Sequence, residues 1–108
     1  MPDPAILVLT HAPDRDVAAR IARELLQRRL AACVNIGAGV QSMYHWRGEI
    51  ETADEVALSI KTRAALYSKV EAAIRELHPY ELPEVVAVAL HAAYEPYVQW
   101  IDSETAAS

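Results

Sequence analysis

Apolar residues in this chain recur at changing spacings, and each change marks the start of a new element. Ala5 to Leu9 is a short unbroken apolar run closed by Thr10-His11-Ala12-Pro13, the pattern of a buried strand. Asp14 is then placed to cap a helix whose apolar stripe is Val17, Ala18, Ile21, Ala22, Leu25 and Leu26. Arg28 and Arg29 fall in its expected last turn, where positive charge complements the helix dipole.

The period next drops to two. Cys33-Val34-Asn35-Ile36 is β-prone and Gly37-Ala38-Gly39 interrupts it, after which Val40, Ser42, Tyr44 and Trp46 share one face of a resumed strand. Arg47-Gly48 supplies a turn, with Gly48 able to take a positive φ. The return strand runs from Glu49 to Lys61, with Val56, Leu58 and Ile60 pointing inward. Pairing about this turn sets Trp46 opposite Glu49 and Ile36 opposite Ser59, which turns Val34 and Ile36 away from the inner face. One extra residue between Gly37 and Gly39 restores agreement, so a β-bulge is expected there. Each arm approaches about 14 residues, against a usual strand of 5–6. The distal arm, Gln41 to Asp54, outruns any cover one small domain has and is expected to meet another subunit.

A helical period returns after Thr62, which is placed to cap a second helix carrying Leu66, Val70, Ala73, Ile74 and Leu77. Pro79 stops it. Val85 to Leu90 reads as a central strand covered on both faces. Glu95-Pro96 opens a short final helix with Tyr97, Trp100 and Ile101 on one side, and Ser103 to Ser108 is expected to fray. The order β-α-β-β-α-β plus a helix predicts an α+β fold of the ferredoxin-like kind with a long β2–β3 hairpin. One domain spans residues 1–108, with its core from about 5 to 102.

Composition changes this picture little. With 53% hydrophobic and 23% charged residues, the chain of 108 has ordinary globular content. A net charge of −5 argues against a nucleic-acid partner. Arg15, Arg20, Arg23, Arg28 and Arg29 hold half of the ten basic residues, but they alternate with Asp16 and Glu24 on a solvated helix face. Cys33 is the sole cysteine, which excludes an internal disulfide and a CxxC pair. The first residues lack a basic leader and a run long enough to cross a membrane, so a cytoplasmic protein with no membrane partner is expected.

Candidate chemistry concentrates in His78-Pro79-Tyr80-Glu81-Leu82-Pro83-Glu84. Two prolines stiffen a short connection that presents an imidazole, a phenol and carboxylates, either as binding groups or as a shaped helix-to-strand turn. Imidazole with carboxylate suits copper or zinc. His11, His45, His78 and His91 show no zinc spacing. Cys33 reads as a small buried hydrophobe or as a soft ligand for Cu(I). Lys61, at a strand end, either pairs with a carboxylate such as Glu84 or holds an anion beside a helix start. Tyr44, Trp46, Tyr80 and Trp100 are large aromatics suited to interfaces and pocket rims.

Several segments recur in order: Leu30-Ala31-Ala32-Cys33-Val34-Asn35-Ile36, Ser42-x-Tyr44-x-Trp46-x-Gly48-x-Ile50-Glu51, Glu55, Lys61-Thr62, His78-Pro79-Tyr80-x-x-Pro83-Glu84 and Tyr97-x-x-Trp100-Ile101. Together, from Thr10 to Ile101, they resemble the CutA (CutA1) divalent-cation tolerance family. The chain departs from that pattern at Ala38, where proline is common, and after Leu90, where His91-Ala92-Ala93 lacks a glycine. The resemblance implies a ferredoxin-like subunit in a PII-like homotrimer and a role in tolerance of copper or another divalent metal. It implies an intersubunit cleft gathering Cys33, Tyr44, Trp46, Lys61, His78, Tyr80, Glu84 and Trp100; His78, Glu84 and Cys33 are the residues whose chemistry suits a metal there. No organic cofactor and no enzymatic activity are expected. The alternative is a very stable structural or signalling trimer that engages other proteins. A hydrolase of the acylphosphatase kind would want an arginine in a phosphate-cradling loop after the first strand, and Thr10-His11-Ala12-Pro13 is no such loop.

Overall fold

A computed structural model describes residues 3–107. The elements are β1 (Ala5–Ala12), α1 (Arg15–Gln27), β2 (Cys33–Trp46), β3 (Glu49–Arg63), a short 3-10 turn (Ala64–Leu66), α2 (Tyr67–Leu77), β4 (Val86–Ala89) and α3 (Glu95–Glu104). The strands form one sheet in the order β2-β3-β1-β4, antiparallel throughout. That is the connectivity of the split βαβ arrangement expected from the sequence.

Alternation in β1 decides which face is covered. Ile6, Val8, Thr10 and Ala12 are buried, and they join Val56, Leu58 and Ile60 of β3 beneath α1 and α2. The helices answer with Ala18, Ile21 and Leu25 from α1 and Val70, Ala73 and Ile74 from α2. Asp14 caps α1 through its carboxylate, which accepts from the Val17 amide at 2.8 Å.

The hairpin has the expected register. Trp46 faces Glu49, and the ladder shifts between Ile36 and Gly39, so that Ile36 meets Leu58 and Val34 meets Ile60. The bulge therefore returns Val34 and Ile36 to the helix side, against the core. Beyond it, Val40, Ser42, Tyr44 and Trp46 pair with Glu55, Ala53, Glu51 and Glu49, residues of the opposite parity on β3. They lie on the open side of the sheet. Arg15 ties the start of α1 to the bulge, its guanidinium donating to the Gly37 carbonyl at 3.1 Å. Arg47 and Gly48 both have positive φ, 50° and 83°, as a two-residue I′ turn requires.

Four expectations need correction. Arg28 and Arg29 lie past α1 rather than in its last turn: Arg29 adopts φ 58°, its amide bonds the Leu26 carbonyl, and the Leu30 amide bonds that of Leu25. This is a Schellman termination with arginine where glycine is usual. Thr62 does not cap a helix. It stays in β3, fully buried, and donates to the Leu30 carbonyl at 2.7 Å. β4 is an edge strand, not a central one, with Val86 and Val88 each 47% exposed. The short element between Pro83 and His91 finds its one partner in β1, because β3 already holds the other side of β1.

The fourth concerns the tail. Ser103 and Glu104 belong to α3, and the Ala106 amide bonds the Arg29 carbonyl at 2.8 Å. Arg63, 10% exposed, explains the order: its guanidinium reaches Asp3, Asp102, Thr105 Oγ1 and the Ala106 carbonyl. A buried cation needs such partners, and the last turn supplies them. Ser108 lies outside the described residues.

Candidate functional site

The connection after α2 turns back over the open end of β1. His78 ends α2 in extended conformation and sits 6% exposed. Its Nε2 donates to the His11 carbonyl at 2.7 Å, and its Nδ1 accepts the Tyr80 amide at 3.1 Å. Both ring nitrogens are thereby committed, and the imidazole pins the loop to β1. Thr10 adds a second pin, its hydroxyl donating to the Glu84 carbonyl at 2.6 Å. The Glu84 carboxylate meets His11 Nδ1 at 2.9 Å.

Between this loop and the distal hairpin lies an open groove of about 820 Å³. Tyr44, Trp46, Met43 and His45 line one wall, Tyr80 to Glu84 the other, and His11 and Glu55 the floor. Glu55 is only 8% exposed. Burial, reinforced by the Glu55 carboxylate, pushes the Tyr80 phenol up to about 12. At the rim, Arg47 reaches from the turn to Glu81 at 3.2 Å while its guanidinium lies 5.3 Å from the centre of the Trp46 ring.

Of the residues expected at one cleft, the protomer gathers Tyr44, Trp46, Tyr80 and Glu84. Cys33 and Lys61 face each other across β2 and β3 at the far end of the sheet, six residues from Glu55, or about 20 Å along the strand. Trp100 is on α3, stacked on Tyr97. The expected ligand set of His78, Glu84 and Cys33 does not converge within the protomer. His78 has no ring nitrogen to offer, Glu84 is engaged by His11, and Cys33 lies at the other end, half-buried beside Asn35. Among the described residues no group of three or more His, Cys, Asp or Glu could hold a metal ion. Lys61 likewise does not pair with Glu84; its ammonium donates to Asn35 Oδ1 at 2.7 Å.

Sequence reasoning did not single out His11 or Arg47 as site residues, and it offered Glu81 only as one carboxylate of the proline-bounded loop. His11 carried a signal: it continues the Leu7, Leu9 face of β1 and is the last residue of that face in the strand. Arg47 carried none, and its pairing with Glu81 could not be read, since only folding brings a hairpin turn to a loop 34 positions away.

Comparison with known proteins matches nearly the whole chain. The family described as "CutA1 divalent ion tolerance protein" matches residues 6–104. The "Divalent-cation tolerance protein CutA" of Thermus thermophilus is 38% identical over 99 residues, covering 92% of this chain and 96% of the relative. "Protein CutA, chloroplastic" of Arabidopsis thaliana is 34% identical over 102 residues, 94% of this chain, but the match spans only 56% of that relative's length. Among solved structures, CutA1 of Shewanella sp. SIB1, described as a "stable protein", superposes with a TM-score of 0.93 at 37% identity, covering 99% of this chain and all of the other.

Proposed function

Since the chain belongs to the CutA1 divalent ion tolerance family, we propose that it works as a homotrimer whose intersubunit clefts bind a divalent cation or another small ligand. Its role is a non-catalytic part of the metal-ion response, in the cytoplasm. The observation that carries the proposal is the apolar surface a single protomer leaves bare. Val86 and Val88 line an unpaired sheet edge, and Met43 and Ile50 stand 69% and 66% exposed on the projecting arm. Such side chains in a hairpin this long call for cover from another chain.

The division of the expected cleft residues supports a ring in particular. Tyr44, Trp46, Tyr80 and Glu84 lie at one end of the sheet, and Cys33 and Lys61 at the other. One cleft gathers both groups when the near end of one subunit meets the far end of the next. That contact is heterologous, and a closed ring of such contacts is cyclic.

A metal site would have to be shared, because the described residues of one protomer do not furnish three converging donors. His11 and Glu84 are the pair that one subunit already sets together. A second reading, a structural trimer that recruits other proteins, draws support from how fully His78, Lys61 and Glu84 are used in internal hydrogen bonds. Sedimentation velocity tests the assembly: three 11.9 kDa chains give a particle of about 36 kDa, and a monomer at micromolar concentration overturns the proposal. Calorimetric titration of the trimer with copper, zinc and nickel, repeated on His11→Ala and Glu84→Gln, tests the metal. Heat that both variants reduce supports shared coordination; a silent trimer favours the second reading.

A further inference from the structure

The groove carries a more specific chemistry than its family resemblance suggests. Three of its lining residues, Tyr44, Trp46 and Tyr80, present aromatic rings, and three others, Glu55 on the floor and Glu81 and Glu84 on the wall, present carboxylates. That combination disfavours an anion. A bare divalent ion fits poorly too, because among the described residues no three donors converge and a strongly hydrated ion gains little from ring faces. A weakly hydrated organic cation suits both features, ring face against its apolar body and carboxylate against its charge.

The protein itself supplies a precedent. The Arg47 guanidinium already occupies such a position, over the Trp46 ring at 5.3 Å and on Glu81 at 3.2 Å. It does so from a backbone position with φ 50°, where glycine, asparagine or aspartate is the less strained choice. Within the single protomer both partners of the ion pair are about three-quarters exposed, 73% and 74%, so there the contact is weak and replaceable.

We propose that the groove between the distal hairpin and the loop Tyr80 to Glu84 binds an organic cation of the guanidinium or alkylammonium class, and that Arg47 is the tethered stand-in which the ligand displaces. The inference rests on reading the groove as a binding site. It adds the ligand's chemical class and a built-in competitor.

The competitor makes the test directional. The probes are ethylguanidinium chloride and tetramethylammonium chloride, titrated against sodium chloride of equal concentration. The Trp46 indole N–H resonance reports binding, and sedimentation on the same samples reports assembly. Saturable shifts beyond the salt control are expected with the wild-type protein. Arg47→Ala should bind about three- to tenfold tighter, the worth of an exposed ion pair plus a surface cation–π contact. Adding Glu81→Gln to Arg47→Ala should return most of that gain. An assembled wild-type protein with no shift beyond salt overturns the inference, as does Arg47→Ala binding no tighter. Either result leaves the trimer proposal standing, whereas a monomeric sample counts against that proposal itself.

Discussion

Replacing His78 with alanine separates a structural imidazole from a metal-binding one. The side chain is 6% exposed and makes two hydrogen bonds, to the His11 carbonyl at 2.7 Å and from the Tyr80 amide at 3.1 Å. Alanine leaves a carbonyl of β1 and an amide of the loop without those partners, at about 1–3 kcal/mol for the more buried of the two. It also removes the tilted ring contact with Tyr80, whose centroid lies 4.5 Å away, worth about 0.5–1.5 kcal/mol. The expected loss is about 3 kcal/mol per protomer, and the loop Tyr80 to Glu84 should loosen with it. Guanidinium chloride unfolding at matched protomer concentration measures the stability, since association shifts the midpoint. Hydrogen exchange at the Tyr80 amide reports the loop. A loss below about 0.5 kcal/mol, the range of an inconsequential surface change, would refute the structural role. So would unchanged stability combined with abolished copper binding, because that outcome requires a ring nitrogen the hydrogen bonds claim.

Three further outcomes follow from other contacts. Thr62→Val keeps the shape but orphans the Leu30 carbonyl, so a loss of about 1–3 kcal/mol is expected by denaturant unfolding; no loss contradicts the assigned bond. Arg29→Gly relieves a left-handed arginine at the end of α1 while giving up an exposed ion pair to Glu104, and a net gain of about 0.5 kcal/mol should appear as a raised unfolding midpoint. Tyr80 has a folded-state value raised to about 12 by burial and by Glu55, so the neutral phenol is the form folding favours. Its contribution to stability is complete below pH 10 and drains away as the pH climbs towards 12. Absorbance at the phenolate band should show a late-titrating tyrosine that Tyr80→Phe removes; loss of an ordinary one instead refutes the assignment.

The fold was legible where a period ran long enough to be read. Val17 to Leu26 announced α1, and the conflict between Ile36 and Leu58 announced the bulge, because parity is a hard constraint in a sheet. What failed was local punctuation overridden by distant contacts. Thr62 has the chemistry of a cap, but a buried hydroxyl facing the Leu30 carbonyl gains more from staying in β3. Val86 to Ala89 has the composition of a central strand, and its exposure in the protomer reflects surface that the sequence treats as buried. The site divided in the same way. Tyr44, Trp46, Tyr80 and Glu84 were visible as residue types in promising places. The pairing of His11 with Glu84, and of Arg47 with Glu81, depends on how a loop and a hairpin converge, which no spacing encodes.

The bulge also divides one hydrophobic stripe between two tasks. Read along β2, Val34, Ile36, Val40, Tyr44 and Trp46 all fall on even positions, as though one strand face continued from end to end. The single surplus residue sends the first two to the protomer's own interior and the last three to the outside. The packed core and the open face thus draw on adjacent stretches of the same strand without sharing a side chain. Substitutions before Gly37 bear on the protomer's own core, and those after Gly39 on the groove and on the proposed assembly. The outward face of the arm can therefore vary while the packed body beneath it stays as it is.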